Sequence, residues 1–150
     1  PLFMILDKVT DVRNFGAMAR TAEGLGFHAV IIPSRGGASI NQEAMKTSAG
    51  ALAHIPVCRV ISLPATVQYL KNNGIRVAGC TEKTDTSLFG LSLTGPLTLV
   101  MGSEYDGIST EVLRVCDIKG KIPMLGKIGS YNVSVSMAIA GAEIRRQRMG

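Results

Sequence analysis

The chain has 150 residues, 46% of them hydrophobic and 18% charged, with 16 Lys and Arg against 11 Asp and Glu for a formal charge of +5. This composition excludes a disordered charged tail and fits one domain, which at this length buries about 70% of its unfolded surface without needing a disulfide or a metal. No run approaches the ~20 apolar residues of a membrane span.

Short apolar runs alternate with helical patterns along the chain. Leu2 to Leu6 reads as a buried strand, and Phe15 to Leu25 as a helix stopped at Gly26. A second strand, Ala29 to Ile32, ends at Pro33; a loop over Ser34 to Ser39 and a short helix over Asn41 to Ser48 follow. Lys46 to Ala51 is rich in small residues, which suits either tight packing or close approach of a ligand or another chain. Val57 to Ile61 is a third strand, and Pro64 opens a helix running to Asn72. Ile75 to Cys80 and Leu97 to Met101 are the fourth and fifth strands, with loop-like residues over Glu82 to Ser87 between them. Thr110 to Cys116 is a helix with Ser109 as cap, Ile118 to Met124 holds a short sixth strand, and Asn132 to Arg148 is the longest helix. In this last helix Val133, Met137, Ala140, Gly141 and Ile144 recur at three- and four-residue spacing and mark its buried stripe. Continuous apolar strands alternating with helices indicate an α/β fold with a mainly parallel sheet flanked by helices.

The odd set Cys58, Cys80 and Cys116 contains no paired spacing and fits free thiols in a reducing cytoplasm. His28 and His54 have no ligand-like spacing to them, so no metal site is expected. His28, Cys58 and Cys116 read as packing residues. From Lys119 onward, Lys119, Lys121, Lys127, Arg145, Arg146 and Arg148 face Glu143 alone. Such an end is either a solvated helix face or a surface for phosphates, and Arg145, Arg146 and Arg148 are read as a basic surface open to RNA.

Three clusters stand where strands hand over to helices, the place where open α/β sheets bind ligands. The first is Asp11 to Ala22, in which Asn14 is a candidate helix cap or polar site residue. Arg20 lies in the second helical turn, suited to a phosphate or to pairing with Glu23 or Asp11. The second, Gly102-Ser103-Glu104-Tyr105-Asp106-Gly107, brackets two acids between glycines. The third runs from Lys121 to Ser136, where a glycine-punctuated loop leads to Ser130 and Asn132 at the start of the longest helix. There is no GxGxxG fingerprint and no histidine near Ser130, which argues against a dinucleotide-dependent dehydrogenase and a Ser-His hydrolase.

In this order the clusters resemble the three motifs of the SpoU (TrmH) family of RNA 2′-O-ribose methyltransferases, within the SPOUT superfamily. The likeness covers essentially the whole chain: Asn-x-Gly with the later Arg20, Gly-x-Glu-x-x-Gly from Gly102, and Ile-Pro-Met with Ser-x-Asn-Val-Ser-Val from Ile122. Lys46 to Val57 is further similar to the branch that modifies a guanosine of large-subunit (23S) ribosomal RNA. The resemblance implies S-adenosylmethionine as donor, a ribose 2′-hydroxyl of structured RNA as acceptor, a trefoil knot at the carboxyl end and a homodimer. Neither DNA nor a membrane is an expected partner.

Carried over by motif, Arg20 matches the arginine that polarises or accepts the hydroxyl proton. Asn14, Glu104, Ser130 and Asn132 match the residues that place that arginine and the ribose. Cys80, Thr81, Met101, Gly102, Ile122, Met124, Tyr131 and Asn132 match the cofactor pocket, and Arg13, Arg20 and Lys46 are candidate RNA contacts. Tyr131 stands where the family usually has Leu, and Ser136 where Ala is usual. Many members carry an amino-terminal RNA-binding domain, so residues 1–150 are expected to be the catalytic domain of a longer protein. Transfer RNA as substrate and a noncatalytic RNA-binding module are the alternative readings.

Overall fold

The computed structural model describes residues 1–36 and 40–150; the part of the Ser34 to Ser39 loop at 37–39 lies outside the described residues. The strands are β1 (Leu2–Asp7), β2 (Ala29–Pro33), β3 (Val57–Val60), β4 (Arg76–Cys80), β5 (Leu97–Gly102) and β6 (Ile118–Gly120). The helices are α1 (Val12–Gly24), α2 (Gln42–Thr47), α3 (Leu63–Asn72), α4 (Thr110–Val115) and α5 (Val133–Met149). The strands form one sheet in the order β3-β2-β1-β5-β4-β6, and every pairing is parallel.

Alternation along the strands feeds two cores. Leu2, Met4, Leu6, Leu97, Leu99 and Met101 join Phe15 and Met18 of α1 and Met137 and Ile144 of α5. Ile5, Val77 and Val100 join Val67 of α3 and Val112 and Leu113 of α4 on the other face. The expected stripe of α5 is buried in full, with Glu143 beside it. Successive connections leave β1 toward β2 and β3 on one side, while β5, β4 and β6 lie on the other. The crevice created by that switch lies at the carboxyl ends of β1 and β5, where Asp7 is in register with Gly102.

Local chemistry sets the helix ends. Asp11, not Asn14, caps α1: its side chain accepts from the Asn14 N–H at 2.9 Å, which frees the Asn14 amide for other work. At the other end Gly26 takes φ +77°, with Phe27 N–H donating to Ala22 O and Gly26 N–H to Glu23 O, the paired bonds of a left-handed helix stop. Arg145 of α5 closes this end, donating from Nε and Nη2 to Leu25 O at 2.9 and 2.6 Å. A Cβ at Gly26 would lie 2.6 Å from that guanidinium.

The basic carboxyl end is partly engaged within the chain, while the Arg146 side chain remains 72% exposed. Arg145 serves the end of α1, Arg148 donates to Gly95 O, and Arg146 grips Glu143 through Nε at 2.6 Å and Nη2 at 3.0 Å. Those bonds hold the Glu143 carboxyl below its ordinary range. Two packing assignments are also corrected. Cys58 is exposed because β3 is an edge strand, and His28 is exposed, its Nδ1 accepting from Leu2 N–H at 3.0 Å. The small residues near α2 serve packing: a Cβ on Gly16 would lie 2.8 Å from Thr47 Cβ and 2.9 Å from Ala44 O, so α1 lies directly on α2.

Candidate functional site

Three side chains from distant parts of the sequence converge at the carboxyl end of the sheet. Asn14 comes from the first turn of α1, Glu104 from the loop after β5, and Asn132 from the cap of α5. Glu104 Oε1 accepts from Asn14 Nδ2 at 2.8 Å and from Asn132 Nδ2 at 2.7 Å. Asn132 Nδ2 also donates to Asn14 Oδ1 at 3.2 Å. The orientation of the Asn132 amide is fixed from the opposite side, because its Oδ1 accepts from the N–H and hydroxyl of Ser134 and from Val135 N–H. The cap that starts α5 thereby also aims two amide protons at the node. Glu104 Oε2 makes no hydrogen bond among the described residues and is left to meet a ligand.

The loop carrying Glu104 is closed upon itself. Ser103 and Gly107 exchange N–H···O bonds at 3.2 and 3.0 Å, and Ser103 Oγ accepts from Asp106 N–H at 3.1 Å. Gly102 lets the loop fold back over its own strand: a Cβ there would lie 2.1 Å from Gly107 C and 2.2 Å from Ile108 N. The base of the loop is tied to β1, where the buried Asp7 carboxylate accepts from Ser109 N–H at 2.8 Å. The expected Ser109 side-chain cap of α4 is not formed; Asp7 instead fixes the N–H of the cap residue itself.

Beside the node lies a cleft of about 340 Å³. Of the candidate cofactor residues, Cys80, Thr81, Met101, Gly102, Ile122 and Tyr131 line it, whereas Met124 does not; Asn132 stands at the node and not in the lining. Ser130 is in the wall. Sequence reading missed Lys83, Tyr105, Val133 and Ser136, which also line the cleft. Loop-tip side chains leave no periodic signal, although Val133 and Ser136 lie one turn of α5 apart. Among the described residues, the segment 122–131 makes no backbone–backbone hydrogen bond. The cleft therefore combines the unpaired main chain of Ile122, Ser130 and Tyr131 with a mixed wall of apolar side chains such as Met101 and Val133 and polar ones such as Thr81 and Ser136, a combination that suits a heterocycle with a polar edge. A larger groove of about 730 Å³, between α3 and β3, is lined by residues such as Ile31, Val60 and Tyr69 and holds none of the candidate site residues.

The basic candidates lie elsewhere. Arg20 is exposed on α1, outside the cleft lining, with no hydrogen bond or ion pair among the described residues. Arg13 forms an exposed pair with Glu43 at 3.3 Å, and Lys46 is exposed in the last turn of α2. No helix among the described residues is long and apolar enough to cross a membrane. No group of three or more His, Cys, Asp or Glu among the described residues has the arrangement of a metal site.

Burial, with a smaller contribution from the Glu82 carboxylate, pushes the Cys80 thiol up to about 11, and burial pushes Cys116 to about 11 as well. At pH 8 each of these two is thiolate in only about one molecule in a thousand, so neither is a nucleophile for catalysis. Iodoacetamide at pH 8 should alkylate the exposed Cys58 first, with Cys80 and Cys116 following only as the pH approaches 11. Peptide mass mapping of a time course checks this, and Cys80 reacting as fast as Cys58 would contradict the buried setting described for the cleft wall.

The pattern of the SpoU rRNA methylase family matches residues 1–142. An uncharacterized tRNA/rRNA methyltransferase of Mycobacterium avium is 44% identical over 149 residues, 99% of this chain and 48% of that protein. The 23S rRNA (guanosine-2′-O-)-methyltransferase RlmB of a Burkholderia species is 43% identical over 149 residues, 99% of this chain and 60% of that protein. Among solved structures, the SpoU methyltransferase AviRb from Streptomyces viridochromogenes in complex with AdoMet superposes with a TM-score of 0.90 at 27% identity, over 98% of this chain and 60% of that one. The chain spans about half the length of the curated relatives it matches.

Proposed function

The chain belongs to the SpoU rRNA methylase family, and we propose that it transfers a methyl group from S-adenosylmethionine to a ribose 2′-hydroxyl, with a guanosine of 23S ribosomal RNA as the acceptor. The observation that carries this reading is the Asn14–Glu104–Asn132 node at the mouth of a cleft whose loop wall has unpaired backbone groups. The RlmB relative and the AdoMet-bound neighbour support the acceptor and the donor.

Cys80, Thr81, Met101, Gly102, Ile122 and Tyr131 would hold the cofactor, which when bound supplies an electrophilic methyl group on a sulfonium. The chain's own groups orient the acceptor. Glu104 Oε2 receives a hydrogen bond from the ribose, or from a guanidinium bridging to it, while the two amides hold the other carboxylate oxygen in place. A guanidinium keeps its protons in proteins, so the contribution of Arg20 is to stabilise negative charge developing on the hydroxyl oxygen, and the hydroxyl proton leaves to solvent water. Alignment of this kind supplies several kcal/mol, of order 7–11 at best.

Arg20 does not line the cleft of its own chain, so it acts at the cleft of a second copy in a homodimer. Exposed apolar side chains around the third cluster, Leu125, Ile128 and Val135, support such an interface. The trefoil knot belongs to this reading also. It is supported by the contact of the β6 exit with the loop after β4, where Lys121 N–H donates to Thr86 O and Leu88 N–H to Lys121 O. A cytoplasmic location and an RNA-binding portion elsewhere in a longer protein complete the proposal.

The test is transfer of labelled methyl to 23S and transfer RNA transcripts, followed by mapping of nuclease-resistant 2′-O-methyl sites. Label in 23S RNA is the expected outcome. Label in transfer RNA alone would shift the substrate, and label on a base or on neither RNA would overturn the activity. R20A should abolish transfer. Mixing R20A with E104A protomers should restore about a quarter of the wild-type rate, because half the dimers then carry one complete site. A mixture as dead as its components would place both residues in one chain's site.

A further inference from the structure

An exposed aromatic ring is ordinary taken singly, but Tyr105 combines three features. Its side chain is 95% exposed, yet it borders the cleft. It sits at the tip of the closed Ser103–Gly107 loop, whose cross-bonds and fold-back over Gly102 leave little freedom to move. Its chain neighbour is Glu104, so ring and carboxylate are presented by one rigid turn. Tyr131, 40% exposed and next to Asn132, borders the same cleft from the other loop, and Lys83 adds a cation to the lining. An exposed ring carried on a closed loop beside a polar node, with Lys83 in the same cleft lining, is an arrangement suited to receive an unstacked base.

We propose that Tyr105 is a stacking platform for a nucleobase of the RNA, the base of the acceptor nucleotide or its neighbour, and so helps select an unpaired nucleotide as substrate. This rests on the activity proposed above, and it adds a recognition element that the polar node cannot supply, since a ribose is common to every nucleotide. Pre-organisation of the loop backbone matters here, because a backbone that is already held loses little freedom on binding.

The test uses the whole chain. Y105A should raise the KM for a 23S RNA transcript by about tenfold, a larger change than in kcat, while Y105F restores the wild-type KM. Y69A, on the exposed face of α3 away from the cleft, is the control. A second readout does not depend on turnover. The chain has no Trp, so the emission of a Y105W variant reports that position alone. A ten-nucleotide single-stranded RNA should quench it, and the abasic counterpart of the same RNA should not.

Quenching without methyl transfer by the wild type would uphold the stacking platform and overturn the activity. Methyl transfer with Y105A indistinguishable from wild type would uphold the activity and overturn the platform. Equal quenching by the abasic strand, or conversion of a dimer to monomers by Y105A, would overturn it as well, assigning the ring to backbone contact or to a second copy of the chain.

Discussion

G102A should lower the melting temperature by roughly 5–10 °C and abolish binding of S-adenosylhomocysteine together with methyl transfer. The added Cβ falls 2.1 Å from Gly107 C, 2.2 Å from Ile108 N and 2.4 Å from Gly107 O. These are main-chain atoms, so no rotamer change relieves the overlap, and the loop must lift. Overpacking of this kind costs about 1–3 kcal/mol where the surroundings yield, and each kcal/mol corresponds to about 2–4 °C in a domain of this size. Lifting the loop also breaks the Ser103–Gly107 exchange and moves Glu104 away from both asparagines. The same replacement at Gly24, the last residue of α1 with no atom near the new Cβ, should leave stability unchanged or raise it by up to about 0.5 kcal/mol through helix propensity. Calorimetric melts and product titrations of the two variants check the contrast. A G102A chain with wild-type melting and affinity would mean that the loop is not held by its own fold-back.

N132D should be more damaging than N132A, with a loss of transfer on the order of a hundredfold or more. Alanine removes the Asn132 Nδ2 donor to Glu104 and the cap of α5, and a hydrogen bond to a charged group contributes about 1.5–3 kcal/mol. Aspartate retains the cap, since a carboxylate oxygen still accepts from Ser134 and Val135, but it sets a second negative charge within hydrogen-bond distance of Glu104 Oε1. Two carboxylates so close raise the proton affinity of one of them. The sign of the pH effect follows: acidification adds one shared proton, restores a donor between the residues and brings N132D back toward wild type, whereas N132A gains nothing. Rates measured from pH 8 downward, normalised to wild type, distinguish the two. Parallel profiles for both variants would show that charge at this position is irrelevant and that Asn132 acts through the helix cap alone.

The elements were legible because strands buried on both faces appear as unbroken apolar runs, and because Val133, Met137, Ala140, Gly141 and Ile144 keep helical spacing on α5. Sheet order was not legible. In the run from Val57 to Ile61 only Arg59 signals an edge, and the apolar residues around it favour burial of Cys58, which is exposed. Nor could charge counting show that Arg145 and Arg148 are occupied by backbone carbonyls of the distant residues Leu25 and Gly95. Asn14 could be read as a cap or a site residue, and only the tertiary structure decides: Asp11 caps, and Asn14 meets Glu104 across 90 positions of sequence. The ordered motifs point to these polar residues through resemblance to a family, whereas the closed loop that displays Tyr105 depends on main-chain bonds no composition reveals.

The pairing of β1 with β5 joins Leu2 to Leu97 and Asp7 to Gly102 at the centre of the sheet, so β1 waits for this partner until some ninety-five further residues have been made. Contacts so far apart in sequence favour folding in the millisecond-to-second range. During translation at ~5–20 residues per second, β1 emerges seconds before the chain that covers it. The polar node closes later still, once Asn132 and α5 have left the ribosome. A chain stalled short of α5 therefore displays the apolar inner strands of an unfinished sheet, a target for chaperones and proteases, and the polar node forms only with α5.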